Sequence, residues 1–143
     1  MKQLSLYDER LVTPMRHELT TLGFEELRSA DEVDRSLKDA SGTALVVVNS
    51  VCGCSARNAR PAVALALGGD GPRPDRLFTV FAGQEVEATN QARSYFTGKA
   101  PSSPSIALLK DGALVHMIER REIEGRAPAE IAANLQSALE RFC

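Results

Sequence analysis

Two of the three cysteines in this chain of 143 residues, Cys52 and Cys54, are separated only by Gly53. Thiols at this spacing suit three kinds of chemistry: half of a metal site, a structural disulfide or a redox-active pair. A disulfide across one residue needs Cα atoms within about 7 Å of each other. Gly53 eases that requirement, because glycine reaches backbone angles that are closed to other residues. Such a small ring is expected to be strained, and strained disulfides are the labile ones that suit turnover.

The metal interpretation lacks ligands. Zinc sites normally take four ligands, and a Cys-x-Cys pair supplies two of them. The other candidates are Cys143, His17 and His116, which lie far apart in the sequence without ligand spacing. We therefore expect no metal centre, and neither histidine is predicted to be catalytic. For Cys143, a terminal thiol without a role and an auxiliary redox or intermolecular role both stay open.

The bulk composition is that of an ordinary globular protein, with 43% hydrophobic and 25% charged residues. The formal net charge of −2 gives no electrostatic reason to expect nucleic acid or an anionic membrane as a partner. The first residues lack the apolar run of a signal peptide, and no stretch is long enough to span a bilayer. We therefore predict a cytoplasmic protein with a single domain over residues 1–143. Because the cytoplasm keeps ordinary thiols reduced, the structural disulfide becomes less favoured.

The elements around the cysteines favour a reactive thiol. Residues 43–49 form a β-branched apolar run that predicts a buried central strand, and residues 56–67 predict a helix. Cys52 is therefore expected just before a helix N-terminus, where unpaired N–H groups and the helix dipole stabilise an anion. Thiols at such positions ionise more readily than free cysteine, and the thiolate is the nucleophile. Arg57 and Arg60 would add positive potential near this thiol. The alternative for Cys52 and Cys54 is a pair of inert, half-buried thiols.

The remaining patterns predict an α/β fold with a mixed sheet. Helices are predicted over residues 7–23, 29–42, 85–98 and 128–142, and strands over residues 24–27 and 76–83. Residues 105–118 are predicted to form a β-hairpin, because Asp111-Gly112 is typical of a type I′ turn. Pro14 lies inside the first helical pattern, where it is expected to kink the helix or to mark its first turn.

The segments "VVVNSVCGCSARNARPA", "YFTGKAPSSPSIALLKDGALVH" and "REIEG" closely resemble the bacilliredoxin family. Members of this family are small thioredoxin-like proteins known by a Cys-Gly-Cys active site, and the resemblance covers nearly the whole chain. It implies a thioredoxin-like three-layer α/β/α fold with a central mixed β-sheet. The central positions that fit the family pattern are Asn49, Ser50, Cys52, Gly53, Cys54, Arg60 and Pro61.

The resemblance implies a thiol–disulfide oxidoreductase that removes bacillithiol from S-bacillithiolated cytosolic proteins. Cys52 would attack the bacillithiol sulfur and release the client thiol, and Cys54 or a second bacillithiol would resolve the adduct. Bacillithiol would thus be a co-substrate, with no bound cofactor, and a disulfide reductase would regenerate it. Two alternatives use the same cysteines: a general protein disulfide isomerase or reductase, and a non-catalytic metal-binding or redox-responsive module.

Roles for other residues follow partly from the resemblance and partly from their positions and chemistry. Ser103 and Pro104 precede the hairpin as the cis-proline of thioredoxins does, and they are expected to position substrate. Asn49 and Ser50 are expected to cap the active-site helix or to hold the loop that carries Cys52. Arg60, and secondarily Arg57, is inferred to hold the malate carboxylates of bacillithiol by charge-assisted hydrogen bonds. For Arg57, a solvated helix face is the favoured interpretation.

Overall fold

A five-stranded mixed sheet forms the centre of the protein, which the computed structural model describes over residues 5–143. Its strands are β1 (Glu25–Glu26), β2 (Thr43–Asn49), β3 (Arg76–Phe81), β4 (Ser105–Lys110) and β5 (Ala113–Ile118). The order across the sheet is β1-β3-β2-β4-β5. The first three strands in that order are parallel, whereas β4 runs antiparallel to β2 and β5 antiparallel to β4. The predicted mixed sheet is confirmed.

Helices cover both faces of this sheet, as a three-layer α/β/α fold requires. The α-helices are α1 (Glu9–Thr20), α2 (Ala30–Leu37), α3 (Arg60–Leu67), α4 (Val86–Arg93) and α5 (Pro128–Phe142). Apolar residues of α1, α3 and α5 pack in one cluster, and those of α2 and α4 in a second cluster on the other face. A π-helical segment (Ser55–Ala59) leads directly into α3, and a short 3-10 helix (Arg120–Glu122) follows β5. Among residues 5–143, no helix combines the length and apolar character needed to cross a membrane.

Strand β2 anchors the core and delivers the chain to the cysteines. All seven of its residues are buried. Leu45 and Val47 pack in the cluster with α3 and α5, whereas Val46 and Val48 pack with α2 and α4. This alternation is the period of two that a strand imposes on its side chains. The strand predicted over residues 43–49 is confirmed, with both faces covered.

Several element ends differ from the predictions for local reasons. Helix α2 begins at the predicted cap, where Ser29 Oγ accepts a 3.1 Å hydrogen bond from Glu32 N–H. It ends at Leu37 rather than near Gly42, and Asp39 then takes a left-handed conformation with φ 55°. Helix α4 ends at Arg93 because the next residues form turns, and β1 has only the two residues that pair with β3.

The hairpin before the last helix follows the sequence prediction. Asp111 and Gly112 both have positive φ angles, 52° and 82°, as a type I′ turn requires. The turn joins β4 to β5 directly, and the antiparallel pairing of β4 with β2 places the start of β4 beside the end of β2. The loop before β4 therefore lies close to the cysteines that follow β2. Pro14 lies inside α1 rather than in its first turn.

Candidate active site

Cys52 and Cys54 form a disulfide in the loop between β2 and the π-helical segment, with Cα atoms 5.3 Å apart. The two side chains differ in accessibility. Cys54 is only 7% exposed, whereas Cys52 is partly exposed. Because an incoming disulfide must reach the attacking sulfur, Cys52 is the better placed of the two to meet a substrate.

Backbone amides surround Cys52 as expected at the start of a helix. Its carbonyl accepts hydrogen bonds from the N–H groups of Ser55 at 2.9 Å and Ala56 at 3.3 Å, which form the first turn. The N–H of Cys54 donates to Cys52 Sγ at 3.4 Å. An N–H directed at the sulfur stabilises a negative charge there. The predicted placement of Cys52 at the N-terminal end of a helix is confirmed.

A buried polar network holds the loop that carries the cysteines. Oδ1 of Asn49 accepts hydrogen bonds from Ser50 N–H at 2.9 Å, Ser55 Oγ at 3.1 Å and Arg60 Nη1 at 2.8 Å. Its Nδ2 donates to the carbonyl of Met15 in α1 at 3.2 Å. Asn49 therefore fastens the end of β2 to α1, to the π-helical segment and to the start of α3.

Ser50 continues this network toward the reacting sulfur. Its hydroxyl accepts a 2.9 Å hydrogen bond from the N–H of Cys52. Its carbonyl accepts a 3.1 Å hydrogen bond from Arg60 Nη1. Both contacts agree with the expectation that Asn49 and Ser50 hold the loop.

The structure corrects the expectation that Arg60 contacts the small thiol. Arg60 is 3% exposed, and its Nη1 is engaged inside the protein by Asn49, Ser50 and Ser55. Its Nε lies 3.1 Å from Oε1 of Glu18, which is an ion pair without the alignment of a hydrogen bond. The charge of Arg60 is therefore balanced internally and braces the loop.

Of the two arginines, Arg57 is the one that lies at the surface beside the cysteines. Arg57 is exposed, and a side-chain carbon added at Gly53 would lie 2.7 Å from Arg57 Nη2. The guanidinium therefore covers Gly53, between the two cysteines. The absence of a side chain at Gly53 leaves the space that this guanidinium fills.

The loop before β4 brings a second group to the cysteines. The Ser103–Pro104 peptide bond is cis, as the resemblance implied. The carbonyl of Ser103 accepts a 3.2 Å hydrogen bond from Arg120 Nη1, and Arg120 Nη2 lies 3.5 Å from Cys52 Sγ. A single guanidinium thus joins the cis-proline loop to the sulfur of the partly exposed Cys52.

Arg120 is the residue that sequence reasoning missed. Its only signal in the sequence is that it directly precedes the "REIEG" motif. It lies 68 positions from Cys52, so no spacing argument connects the two.

Other candidate residues lie apart from this site. His116 Nε2 is 2.7 Å from Oδ1 of Asn134, and Cys143 is an exposed free thiol. Over residues 5–143, His, Cys, Asp and Glu side chains form no group of three or more that could hold a metal ion.

The sheet order, the disulfide after β2 and the cis-proline before β4 define a protein with the thioredoxin fold. The solved structure of Fasciola hepatica thioredoxin is similar, with a TM-score of 0.56 and 17% sequence identity. That similarity covers 84% of this chain and 100% of the thioredoxin.

The sequence comparisons define the family within this fold. Residues 7–143 match the family model described as disulphide isomerase. A bacilliredoxin from Bacillus licheniformis is 53% identical, over 96% of this chain and 95% of its own length. A bacilliredoxin from Koribacter versatilis is 51% identical, over 96% of this chain and 94% of its own. The chain belongs to the bacilliredoxin family, and with its close Cys52–Cys54 pair it is a thiol–disulfide oxidoreductase.

Proposed function

We propose that this protein removes bacillithiol from S-bacillithiolated cytoplasmic proteins, with Cys52 as the nucleophile. The observation that carries the proposal is the asymmetry of the pair: Cys52 is partly exposed, whereas Cys54 is buried and bonded to it. Bacillithiol as the small thiol is supported by the curated bacilliredoxins that share about half of this sequence.

In the first step, the Cys52 thiolate attacks the bacillithiol sulfur of the mixed disulfide on the client. A new S–S bond joins Cys52 to bacillithiol, and the old S–S bond breaks. Its electron pair leaves on the client sulfur, which takes up a proton as a thiol. The client is thereby reduced, and the bacillithiol is carried on Cys52.

Two routes resolve this adduct. In one, the Cys54 thiolate attacks Cys52 Sγ, expels bacillithiol as a thiolate and closes the disulfide seen in the structure. A two-electron reductant must then reopen that bond. In the other, a second bacillithiol attacks the bacillithiol sulfur, so that bacillithiol disulfide leaves and Cys52 returns as a thiolate. A disulfide reductase that regenerates bacillithiol completes this route, and neither route needs a bound cofactor.

Recognition of the small thiol is assigned to exposed groups around the cysteines. Bacillithiol carries a malate with two carboxylates, and Arg57 presents an exposed guanidinium over Gly53. Charge-assisted hydrogen bonds between these groups would hold the adduct beside Cys52. Ser103 and Pro104, which Arg120 links to the sulfur through the Ser103 carbonyl, are proposed to position the client chain.

The proposal is tested with one fluorescent reporter protein that carries a single thiol, modified with bacillithiol in one sample and glutathione in another. We expect bacillithiol to be released faster than glutathione, and its release to be lost in Cys52→Ser. In Cys54→Ser, we expect intact-mass measurement to show a bacillithiol adduct on Cys52. Cys143→Ser serves as the matched control, because it removes the third thiol and should leave the rate unchanged. Equal rates for the two adducts would overturn bacillithiol as the specific substrate while leaving thiol–disulfide exchange in place.

The family description as disulphide isomerase supports a second candidate, the rearrangement of protein disulfides. A scrambled disulfide protein, offered without any small thiol, separates the two functions. Recovery of its activity at a rate comparable to bacillithiol release would favour the isomerase. No recovery, with intact release of bacillithiol, would favour removal of bacillithiol as the function.

A further inference from the structure

We propose that Arg120 is a catalytic residue that stabilises the Cys52 thiolate, both as the nucleophile and as a leaving group. The inference depends on thiol–disulfide exchange alone and holds whichever small thiol is the substrate. It begins with a contact to the reacting atom: Arg120 Nη2 lies 3.5 Å from Cys52 Sγ.

The guanidinium of Arg120 is held in place by contacts on its other nitrogens. Nη1 donates to the carbonyl of Ser103 at 3.2 Å, and Nε donates to Oε2 of Glu124 at 3.1 Å. The backbone N–H of Arg120 donates to Ser102 Oγ at 3.5 Å. Because these contacts leave Nη2 to the sulfur, the positive charge is fixed beside Cys52 rather than free to swing away.

The surrounding charges do not cancel this effect. Glu124 is the acidic partner of Arg120, but it contacts Nε rather than the Nη2 that contacts Cys52, and its side chain is 62% exposed. The buried Arg60 is already paired with Glu18, and Arg57 adds a second exposed guanidinium over Gly53. The charged groups that reach the loop are therefore mainly cationic, and Arg120 is the one in contact with the sulfur.

A cation in this position acts at two points of the exchange reaction. Before attack, it favours ionisation of the thiol and so raises the fraction of nucleophilic thiolate. After an adduct has formed on Cys52, a second small thiol attacks the outer sulfur, the S–S bond breaks and its electron pair moves to Cys52 Sγ. Arg120 stabilises the charge that develops there, which makes Cys52 a better leaving group.

The size of the effect follows from the geometry. An opposite charge within hydrogen-bond distance shifts the ionisation of an acidic group by about one to three pH units. Arg120 is 43% exposed, so solvent screens it and we expect a value near the lower end. A shift of about one pH unit corresponds to a roughly tenfold change in thiolate fraction below the titration midpoint.

The test is the rate of iodoacetamide alkylation of Cys52 as a function of pH, in a Cys54→Ser, Cys143→Ser background in which Cys52 is the single thiol. We expect Arg120→Gln to move the midpoint upward by about one pH unit and to slow alkylation about tenfold below it. Arg120→Lys should restore part of the effect. Arg121→Gln is the matched control, because Arg121 is the adjacent arginine, is 80% exposed and pairs with Glu119.

A second variant separates loss of charge from loss of structure. Glu124→Gln keeps the charge of Arg120 but removes the carboxylate that holds Nε, while Ser103 still holds Nη1, so it should raise the midpoint by clearly less than Arg120→Gln does. General loosening of the loop would raise the midpoint equally in both variants. An unchanged midpoint in Arg120→Gln, or an equal shift in Arg121→Gln, overturns the proposal. Because no bacillithiol is present, such a failure would be independent of the proposed substrate.

Discussion

Arg60 Nη1 donates a 2.8 Å hydrogen bond to Oδ1 of Asn49, which joins the last residue of β2 to the first residue of α3. Both side chains are buried, at 3% and 1% exposure. The loop between them carries Cys52 and Cys54, so this bond closes the base of the active-site loop. Arg60 and Asn49 are therefore structural residues of the loop rather than residues that bind substrate.

Asn49→Ala is therefore expected to destabilise the fold. The change leaves the N–H of Ser50, the hydroxyl of Ser55 and part of the Arg60 guanidinium without their shared acceptor. Burial without a partner costs about 1–3 kcal/mol for such groups, so we expect the free energy of unfolding to fall by about 2 kcal/mol. Urea unfolding measures it. Asn90→Ala on the exposed face of α4 is the control and should change stability by less than about 0.5 kcal/mol; equal losses would contradict a special role for Asn49.

Substitution of Arg57 is expected to lower the reaction rate, whereas substitution of Arg60 is expected to lower the stability of the fold. Arg57→Gln should lower the rate on a bacillithiolated reporter about two- to fivefold, the effect of losing an exposed ion pair, with little change in stability. Arg60→Met should lower the free energy of unfolding, because it removes three buried hydrogen bonds and the Glu18 ion pair. Rates and urea unfolding are measured for both variants.

The control for this pair is a reporter modified with cysteamine, which has no carboxylate. Arg57→Gln should leave its release unchanged, and Arg121→Gln should leave both reporters unchanged. A parallel loss on the cysteamine reporter would show that Arg57 does not act through the carboxylates.

Reduced protein is expected to be alkylated at Cys52 before Cys54. Cys52 is partly exposed and receives the N–H of Cys54, whereas Cys54 is 7% exposed. Limited treatment with iodoacetamide followed by peptide mass mapping measures the order. The exposed Cys143 provides an internal reference for an unassisted thiol, and modification of Cys54 first would contradict the assignment of Cys52 as the nucleophile.

Acid is expected to weaken the fold by protonating carboxylates whose contacts favour the ionised form. Hydrogen bonds from Arg16, at 2.6 and 3.2 Å, lower the pKa of Glu9 below its ordinary 4.5. Because the folded state then binds fewer protons than the unfolded state, this stabilisation is present above the ordinary value and is lost as the pH falls through the lowered one. Glu9 is 51% exposed, so its share should be below about 1 kcal/mol.

Urea unfolding over a pH series tests this expectation. Glu9→Gln should flatten the decline of stability in acid, because the amide does not titrate. Glu140→Gln, an exposed position on α5, is the control and should keep the slope of the parent. Identical slopes for Glu9→Gln and the parent would contradict a contribution from the Arg16 contact.

Local signals in the sequence determined the secondary structure, the type of fold and the reacting pair. The apolar run of β2, the Asp111-Gly112 turn and the cap at Ser29 depend on residues a few positions apart, and each appears where it was predicted. Cys-Gly-Cys between a buried strand and a helix likewise indicated a redox site. The element ends at Leu37 and Arg93 were less predictable, because turns compete there with helices at small energetic differences.

Only the tertiary structure decided which arginines serve the cysteines. Arg57 and Arg60 lie one helical turn apart, yet packing buries Arg60 against Asn49 and Glu18 and leaves Arg57 exposed over Gly53. Arg120 reaches Cys52 across 68 positions because β5 and the 3-10 helix return the chain to the cis-proline loop. Charge and burial depend on neighbours brought together by folding, so residue type alone cannot assign these roles.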